Sequence, residues 1–204
     1  MVTKQKSKKK NIKKKFFEVK SDLTNANISL YGAEPADFDG KSVKVDLTRS
    51  LRGKGYELKL KLKADGNEIN SSPVSLSLAG SYIRRILGKG VDYAEDSFET
   101  ECKDVIVRVK PFMVTRNRVS KSVLKALRTV ARKELENYLR TRTSEEIFSE
   151  LMSNKLQKQL SLKLRKIYPL ALCEIRVFSV ERDKESEEVS EENKAEEKEV
   201  KEKK

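Results

Sequence analysis

The chain has 204 residues, of which 38% are charged and 37% hydrophobic, and its formal net charge is +13. This length allows one domain with extensions, and no apolar run approaches the roughly 18 residues that a transmembrane helix requires. The first 15 residues contain eight lysines in place of the apolar segment of a secretory signal. We therefore expect a cytoplasmic protein without a membrane partner.

The scarcity of metal-binding and catalytic side chains limits the chemistry that the chain can perform. It has no histidine, and its two cysteines, Cys102 and Cys173, lie far apart. These residues cannot supply the usual four-ligand zinc site or a catalytic triad built on histidine. We expect two reduced core thiols, no metal, no cofactor, no small-molecule substrate and no enzymatic activity.

Positive charge is concentrated in two segments. Residues 1–15 carry a net charge of +8 and residues 116–166 carry +9, whereas residues 16–115 are neutral. The Glu/Lys tail, residues 181–204, carries −4. Such localisation indicates a polyanionic partner. Both ends have too few apolar residues to offset the entropy of ordering. We expect a single domain over residues 16–180 between termini that are disordered or become ordered on RNA.

The predicted domain begins with a β-rich half, residues 16–115. In "YELKLKLK", Leu58, Leu60 and Leu62 alternate with lysines, which is typical of a strand with one wet face. Similar patterns predict strands in "SVKVDL", "PVSLSLA", "DVIVRVKPFMV" and, more weakly, "NISLY". Turns around Gly40, Gly53 and Gly66 separate these strands, and "SYIRRIL" predicts one short helix. Phe16 and Phe17 are predicted to anchor the start of the domain in its core.

Residues 116–167 are predicted to be helical. The expected helices cover about residues 120–140, 144–152 and 155–167. Ser144 is the predicted N-cap of the second helix, and Pro169 ends the third. "LCEIRVFSV" predicts a final strand within residues 170–180. The predicted fold class is α+β, with an antiparallel β-barrel-like core, flanking helices and a closing C-terminal strand.

Two motifs invite functional interpretations that the residues do not favour. "GKS" at residues 40–42 resembles part of a phosphate-binding loop, but Pro35 occupies the position of the required first glycine, so a turn is favoured. The acids of "DYAEDSFETE", residues 92–101, could bind a divalent metal. Their spacing matches no EF-hand loop, and a solvated acidic patch is favoured.

The segment "RNRVSKSVLKALRTVARKEL" predicts a helix with one cationic face. Lys121, Lys125, Arg128 and Arg132 are spaced by 4, 3 and 4 residues, which places them within about 60° of arc. A broad apolar stripe is centred about 115° away and comprises Val123, Leu124, Leu127, Val130, Ala131, Leu135 and Tyr138. A solvated face usually mixes both signs of charge, and like charges four residues apart destabilise a helix. Contact with a polyanion is therefore favoured over a merely solvated face.

The character of the basic segments favours RNA backbone as the polyanion. The lysine arm could bind anionic lipid, but the second basic segment then stays unexplained. The helix face lacks an array of residues that read base edges, and aromatic residues, 6% of the chain, do not interleave with its cations. We expect phosphate contacts with folded RNA. The predicted rRNA-binding residues are Lys8, Lys9, Lys10, Lys13, Lys14, Lys15, Arg116, Arg118, Lys121, Lys125, Arg128 and Arg132.

Three stretches resemble a known family. They are "GKSVKVDLTRSL" at residues 40–51, "RNRVSKSVLKALRTVARKEL" at residues 116–135 and "IYPLALCEIRVFSV" at residues 167–180. Over about four-fifths of its length the chain resembles the archaeal and eukaryotic small-subunit ribosomal protein family S-one-e, also written S-three-A-e. The compact length resembles archaeal members, and residues 181–204 depart from the family pattern.

The resemblance implies a non-catalytic structural constituent of the small ribosomal subunit, with a β-barrel core and flanking helices. It implies a position on the platform, near the 3′ end of the rRNA and the mRNA exit. The implied partners are small-subunit rRNA, neighbouring small-subunit ribosomal proteins and mRNA near the exit site. Two alternatives from other classes stay open. They are a free RNA- or DNA-binding regulatory factor and a metal-dependent nuclease that uses the acids of residues 92–101.

Overall fold

A computed structural model describes residues 13–21, 23–24, 28–51, 53–66 and 68–183. Nine strands and four α-helices lie within these ranges, which confirms the predicted α+β class. The strands are β1 (Lys15–Lys20), β2 (Ile28–Gly32), β3 (Ser42–Asp46), β4 (Tyr56–Asp65), β5 (Glu68–Leu78), β6 (Tyr93–Glu95), β7 (Phe98–Glu101), β8 (Val105–Thr115) and β9 (Leu170–Asp183). The helices are α1 (Gly80–Ile86), α2 (Lys121–Leu139), α3 (Ser144–Met152) and α4 (Lys155–Leu164).

The strands belong to one mixed sheet. Its main path runs β2-β1-β5-β9-β8-β6, with β4 paired to β3 and β5, and β7 paired to β8. Strand β1 pairs with β5 in parallel, whereas β8 pairs with β9 in antiparallel over most of their lengths. Within the described ranges the path begins at β2 and ends at β6 without closing. The expected antiparallel, barrel-like core is therefore an open sheet of mixed direction.

Residue contacts divide the chain into two compact units. Of the described residues, those within 13–43 and 60–72 belong to the first unit, and those within 44–59 and 73–183 belong to the second. Strands β4 and β5 contribute residues to both units. The single domain expected over residues 16–180 stays a prediction.

The first unit has a small core of its own. Val19, Leu62 and Ile69 are buried there, at most 7% exposed, and Phe17 and Phe38 pack against them. Phe17 fulfils the prediction of a core anchor, but the prediction for Phe16 was wrong, because its side chain is exposed. Successive residues of a strand point to opposite faces, so only one of two adjacent phenylalanines can face this core.

In the second unit, α4 packs on β9, the partner of β8 in a long antiparallel pair, and α3 contacts β9 through one aromatic pair. The rings of Phe148 and Phe178 meet edge-to-face with their centroids 4.9 Å apart, and both side chains are buried. Alternating residues of β8, such as Val107 and Val109, are fully buried, as their periodicity predicts. Strand β9 extends to Asp183, three residues beyond the predicted end. None of the described helices is long and apolar enough to cross a membrane.

Two predicted helix boundaries were wrong for local reasons. Helix α3 takes Thr143, not Ser144, as its N-cap, because the Thr143 hydroxyl accepts a hydrogen bond from the backbone N–H of Glu146 and the Glu146 carboxylate accepts one in return from the Thr143 N–H. Helix α4 ends at Leu164, not at residue 167, and a turn bonds Tyr168 back to the Leu164 carbonyl. Pro169 therefore follows the end of the helix by several residues. Strands β1, β6 and β7 were not predicted, since short strands carry little periodicity.

Candidate nucleic-acid interface

Helix α2 packs through the apolar side that its sequence predicts. Leu127, Ala131, Leu135 and Leu139 are spaced by four residues and are at most 1% exposed. Burial of a leucine side chain contributes about 1.5–3 kcal/mol relative to exposure. These side chains fix the rotation of α2 about its axis, and the cations lie on the exposed part of its surface.

The six predicted cations of this region all lie on the surface. Arg116 and Arg118 precede α2, and the remaining four are on the helix itself. The exposed residues are Arg116, Arg118, Lys121, Lys125, Arg128 and Arg132. Three of them, Lys121, Lys125 and Arg128, form no ion pair with any residue that the structure describes. Their counter-charge is therefore not supplied by the described part of the protein.

Arg132 differs from the other cations because the protein itself partly neutralises it. Its Nε donates to the Glu136 carboxylate over 2.8 Å, and its guanidinium lies 5.3 Å from the centroid of the Phe98 ring. The hydrogen bond to Glu136, followed by the charges of Glu136 and Asp96, raises the pKa of Arg132. The positive charge along α2 is thus least compensated toward its N-terminal half.

A shallow groove runs over the same face. Asp96 and Glu136 contribute acids to it beside the cations. The groove is lined by Asp96, Lys125, Arg128, Thr129, Arg132, Lys133 and Glu136. Its cationic side has the spacing to meet successive phosphates, since neighbouring cations three or four residues apart on a helix lie about 5–6 Å from one another.

The N-terminal end of α2 adds to the positive field. No acid lies in its first turn, and the N-cap residue Ser120 makes no side-chain capping bond. The first N–H groups of a helix carry partial positive charge, so Lys121 raises a potential that is already positive. Helix α3 begins in the opposite way, with Glu145 and Glu146 in its first turn and a capping box. The start of α2 thus favours an external anion.

Hydrogen bonds hold the segment before α2 in place. The buried Thr115 hydroxyl oxygen lies 2.8 Å from the backbone carbonyl oxygens of both Asp92 and Asn117, and its single proton is donated to one of them at a time. The Asp92 carboxylate accepts from the backbone N–H of Val119 at 2.9 Å. Arg116 and Arg118 therefore project from an anchored loop.

The acids of residues 92–101 are engaged with neighbouring side chains and backbone, so the picture of a merely solvated patch is corrected. Glu95 pairs with Arg176 at 2.5 Å, and Glu99 pairs with Arg108. Asp92 anchors the loop before α2, as above. Within the described ranges, no group of three or more acids and cysteines is arranged to hold a metal ion.

The lysine arm is described only at its C-terminal end. Lys13, Lys14 and Lys15 are exposed, and the Lys14 ammonium lies 5.7 Å from the centroid of the Tyr31 ring. The predicted contacts of Lys8, Lys9 and Lys10 lie outside the described residues. The two basic segments fall in different compact units.

A buried polar cluster in the second unit was missed by the sequence interpretation. Glu174, 2% exposed, accepts from the Tyr56 hydroxyl at 2.9 Å and pairs with Lys54 at 2.5 Å. The Lys54 ammonium also donates to the Asn154 side chain at 2.7 Å. The signal available in the sequence was a glutamate inside the apolar run "LALCEIRVF". Such a residue requires buried partners, but the sequence does not name them.

Comparison with known proteins gives a consistent result. A sequence model of the Ribosomal S3Ae family matches residues 2–183. The small ribosomal subunit protein eS1 of Nanoarchaeum equitans is 25% identical over 153 residues, covering 72% of this chain and 77% of the relative. The eS1 protein of Desulfurococcus amylolyticus is 27% identical over 171 residues, covering 79% of this chain and 80% of the relative. The family match spans most of the chain, including α2 and the strands that position it. This chain therefore belongs to the Ribosomal S3Ae family, the S-three-A-e family that its motifs resemble.

Proposed function

We propose that this protein binds the backbone of small-subunit rRNA through the cationic face of α2. Membership of the family makes it a structural ribosomal protein of the small subunit, and not an enzyme, so its place of action is the cytoplasmic ribosome. The finer parts of the proposal are the rRNA contact, its residues and a position on the platform near the mRNA exit.

One observation carries the proposal. Lys121, Lys125 and Arg128 are exposed on a helix whose apolar side is buried in the core, and no described acid pairs with them. Like charges at this spacing oppose helix formation, whereas phosphates on the same face would remove the repulsion. Lysine and arginine contacts to phosphate fix position and orientation without reading sequence. This is the chemistry of a structural rRNA-binding protein.

The test removes the four charges of α2 together. In the variant Lys121→Gln, Lys125→Gln, Arg128→Gln and Arg132→Gln, we expect weaker binding to a double-stranded RNA hairpin and poorer incorporation into small subunits. If each cation meets one phosphate, the slope of log K against log salt should become shallower by roughly 3. Affinity is measured over a salt series, and incorporation by gradient fractionation.

A matched control removes the same amount of charge elsewhere. Lys44, Lys61, Lys63 and Lys89 are exposed lysines outside α2, and their replacement by glutamine also lowers the net charge by four. This control should retain most of the salt slope. Equal losses in both variants would mean that only total charge matters, and unchanged incorporation of the α2 variant would overturn the proposed role of this face.

The alternative of a free RNA- or DNA-binding factor is distinguished by where the protein resides. We expect a stoichiometric small-subunit peak that survives a wash in moderate salt. Recovery of the protein only in the ribosome-free fraction would favour the free factor. Crosslinking within intact subunits then tests the proposed neighbours, which are rRNA near its 3′ end, adjacent ribosomal proteins and mRNA at the exit.

A further inference from the structure

Two large aromatic rings lie together on the surface of the first unit. Phe16 of β1 and Tyr31 of β2 are directly opposite each other in the antiparallel register. Their ring centroids are 4.9 Å apart, yet 73% of Phe16 and 58% of Tyr31 are exposed. Most large aromatic side chains are substantially buried, so an exposed pair of this size marks a contact surface.

The fold of the first unit does not require this pair as core. The adjacent Phe17 points to the other face of the strand, where its ring meets Phe38 at 6.0 Å and packs against the buried cluster around Leu62. The core side of the β1–β2 pair is thus occupied by other residues. Phe16 and Tyr31 add a cross-strand contact, but their outer faces have no described partner that covers them.

A lysine lies close to one of the rings. The Lys14 ammonium is 5.7 Å from the centroid of the Tyr31 ring, and its neighbours in the chain, Lys13 and Lys15, are also exposed. None of these three lysines forms an ion pair with a residue in the described ranges. Glu18, next along the same face, is the nearest acid in the strand and lies opposite Ser29. The surface combines two planar rings with the Lys14 ammonium, and two further exposed lysines adjoin Lys14 in the chain.

We propose that Phe16 and Tyr31 form a platform on which unpaired RNA bases stack, with Lys13, Lys14 and Lys15 bound to the adjoining phosphates. Every base presents a π-face, and aromatic side chains beside a basic track bind single strands with little sequence preference. The lysines favour a polyanion over a neutral protein surface as the occupant. This goes beyond the backbone contacts proposed for α2, because it assigns bases, and not phosphates alone, to a second surface.

The experiment compares bases with no bases on the same backbone. The full chain is titrated with a single-stranded RNA of about eight nucleotides that does not pair with itself, and with an abasic oligonucleotide of equal length. We expect the wild type to prefer the RNA with bases by roughly 5- to 100-fold. The variant Phe16→Leu, Tyr31→Leu should lose most of that preference while keeping its salt slope.

Leucine is chosen because it keeps an apolar surface and removes the planar rings. The variant Phe16→Tyr, Tyr31→Phe keeps both rings and should bind like the wild type, and circular dichroism verifies that each variant folds. The complementary variant Lys13→Gln, Lys14→Gln, Lys15→Gln should lower the salt slope and leave the preference for bases.

Two outcomes would overturn the platform. One is equal binding of the wild type to RNA with and without bases. The other is a double-leucine variant that binds the single strand as tightly as the wild type, which would favour docking of a protein on an apolar patch. The α2 glutamine variant gives an independent readout, since it should change duplex binding and leave the discrimination against abasic sites. Failure of one proposal is therefore separable from failure of the other.

Discussion

Glu174 is a buried acid whose charge is stabilised by two side chains from a distant part of the sequence. A carboxylate that is 2% exposed is stable only with partners, and Tyr56 and Lys54 supply them from a loop and strand more than a hundred residues away in sequence. Burial, followed by the charge of Glu174, raises the pKa of Tyr56 well above its ordinary value of 10.0. The cluster thus links distant segments of the second unit, and its hydrogen bond from Tyr56 to Glu174 requires that Tyr56 stay protonated.

The variant Tyr56→Phe removes this hydrogen bond, and its effect is tested through the pH dependence of the free energy of unfolding. A tyrosine whose pKa is raised by folding stabilises the native state below its unfolded-state pKa, near 10, and this contribution is lost as the pH rises toward the folded-state pKa. Above about pH 10, the wild type should lose up to about 1.4 kcal/mol more per pH unit than the variant. At neutral pH the variant should be less stable by about 1–3 kcal/mol, because Glu174 loses a donor.

The measurement is urea unfolding between neutral pH and the alkaline range, followed by circular dichroism. Tyr82→Phe is the control, since burial also raises the pKa of Tyr82 but its ring is only partly buried. In Tyr82→Phe, the dependence of the unfolding free energy on pH should change in the same direction as in Tyr56→Phe, but by a smaller amount. Parallel stability profiles for the wild type and Tyr56→Phe would contradict the proposed coupling.

At the scale of the element, α2 is uneven along its length. Its buried leucine stripe and its cationic face were both predicted, because a helical period of 3.6 residues groups the cations within about 60° of arc and centres the apolar residues to one side of them. The engagement of Arg132 with Glu136 and Phe98 could not be predicted in the same way. The Glu136 partner is a local pair four residues on, but Phe98 reaches α2 only through the tertiary fold.

This unevenness predicts different effects for two equal changes of charge. Lys125→Gln should lower the salt slope of RNA binding by nearly the full contribution of one phosphate contact, roughly 0.7–0.9. Arg132→Gln should lower it less, because the Glu136 carboxylate already compensates that charge. The two single variants are compared by hairpin binding over a salt series. Equal slopes, or a larger loss for Arg132→Gln, would show that RNA displaces the Glu136 pair.

Short elements explain most of the remaining misses. Strand β1 begins at Lys15, inside a segment whose lysines conceal any alternation, and β6 has only three residues. The N-cap of α3 was misplaced by one residue because Thr143 and Ser144 are both good caps, and only the reciprocal bond with Glu146 decides between them. Long periodic segments of the sequence were enough to predict that a helix or strand exists. The ends of helices and the presence of short strands depend on specific hydrogen bonds, which the sequence pattern does not show.

On the scale of the whole molecule, the α+β class was predictable and the sheet topology was not. Alternation in "YELKLKLK" predicts which residues are buried, and Leu58, Leu60 and Leu62 are at most 1% exposed. The same alternation contains no information about which other strands pair with this one in the sheet. The parallel pairing of Val19 with Ile69 therefore needed the structure. For the candidate interface, the sequence identified the cations of α2 and missed the exposed Phe16–Tyr31 pair.

The charge distribution makes a prediction about the acidic tail. Residues 181–204 carry a net charge of −4, while the two basic segments together exceed the net charge of the chain. A tethered anion competes with RNA for the basic surfaces, so deletion of residues 184–204 should raise RNA affinity by roughly 2- to 5-fold at low salt. The difference should vanish at high salt.

A variant of equal length distinguishes charge from bulk. Replacement of three glutamates in residues 184–204 by glutamine brings the net charge of this segment from −3 to 0 and should reproduce the effect of the deletion. A scrambled tail of unchanged composition should behave like the wild type. Affinity for the RNA hairpin is measured at about 50 and 200 mM salt. A higher affinity for the deletion variant alone would indicate steric exclusion by the tail.

The graded compensation of α2 has a geometric consequence. No described acid pairs with the cations in the N-terminal half of α2, whereas Arg132 near its middle is paired with Glu136. The uncompensated positive charge therefore decreases along the helix axis. If the helix bound a folded polyanion in the reverse orientation, the neutralised Arg132 would lie where the negative potential is strongest. The unpaired cations at the N-terminal end would then make weaker contacts. If α2 binds rRNA as proposed, this gradient of charge favours one orientation of the helix on the RNA, and a complex in the reversed orientation should dissociate faster.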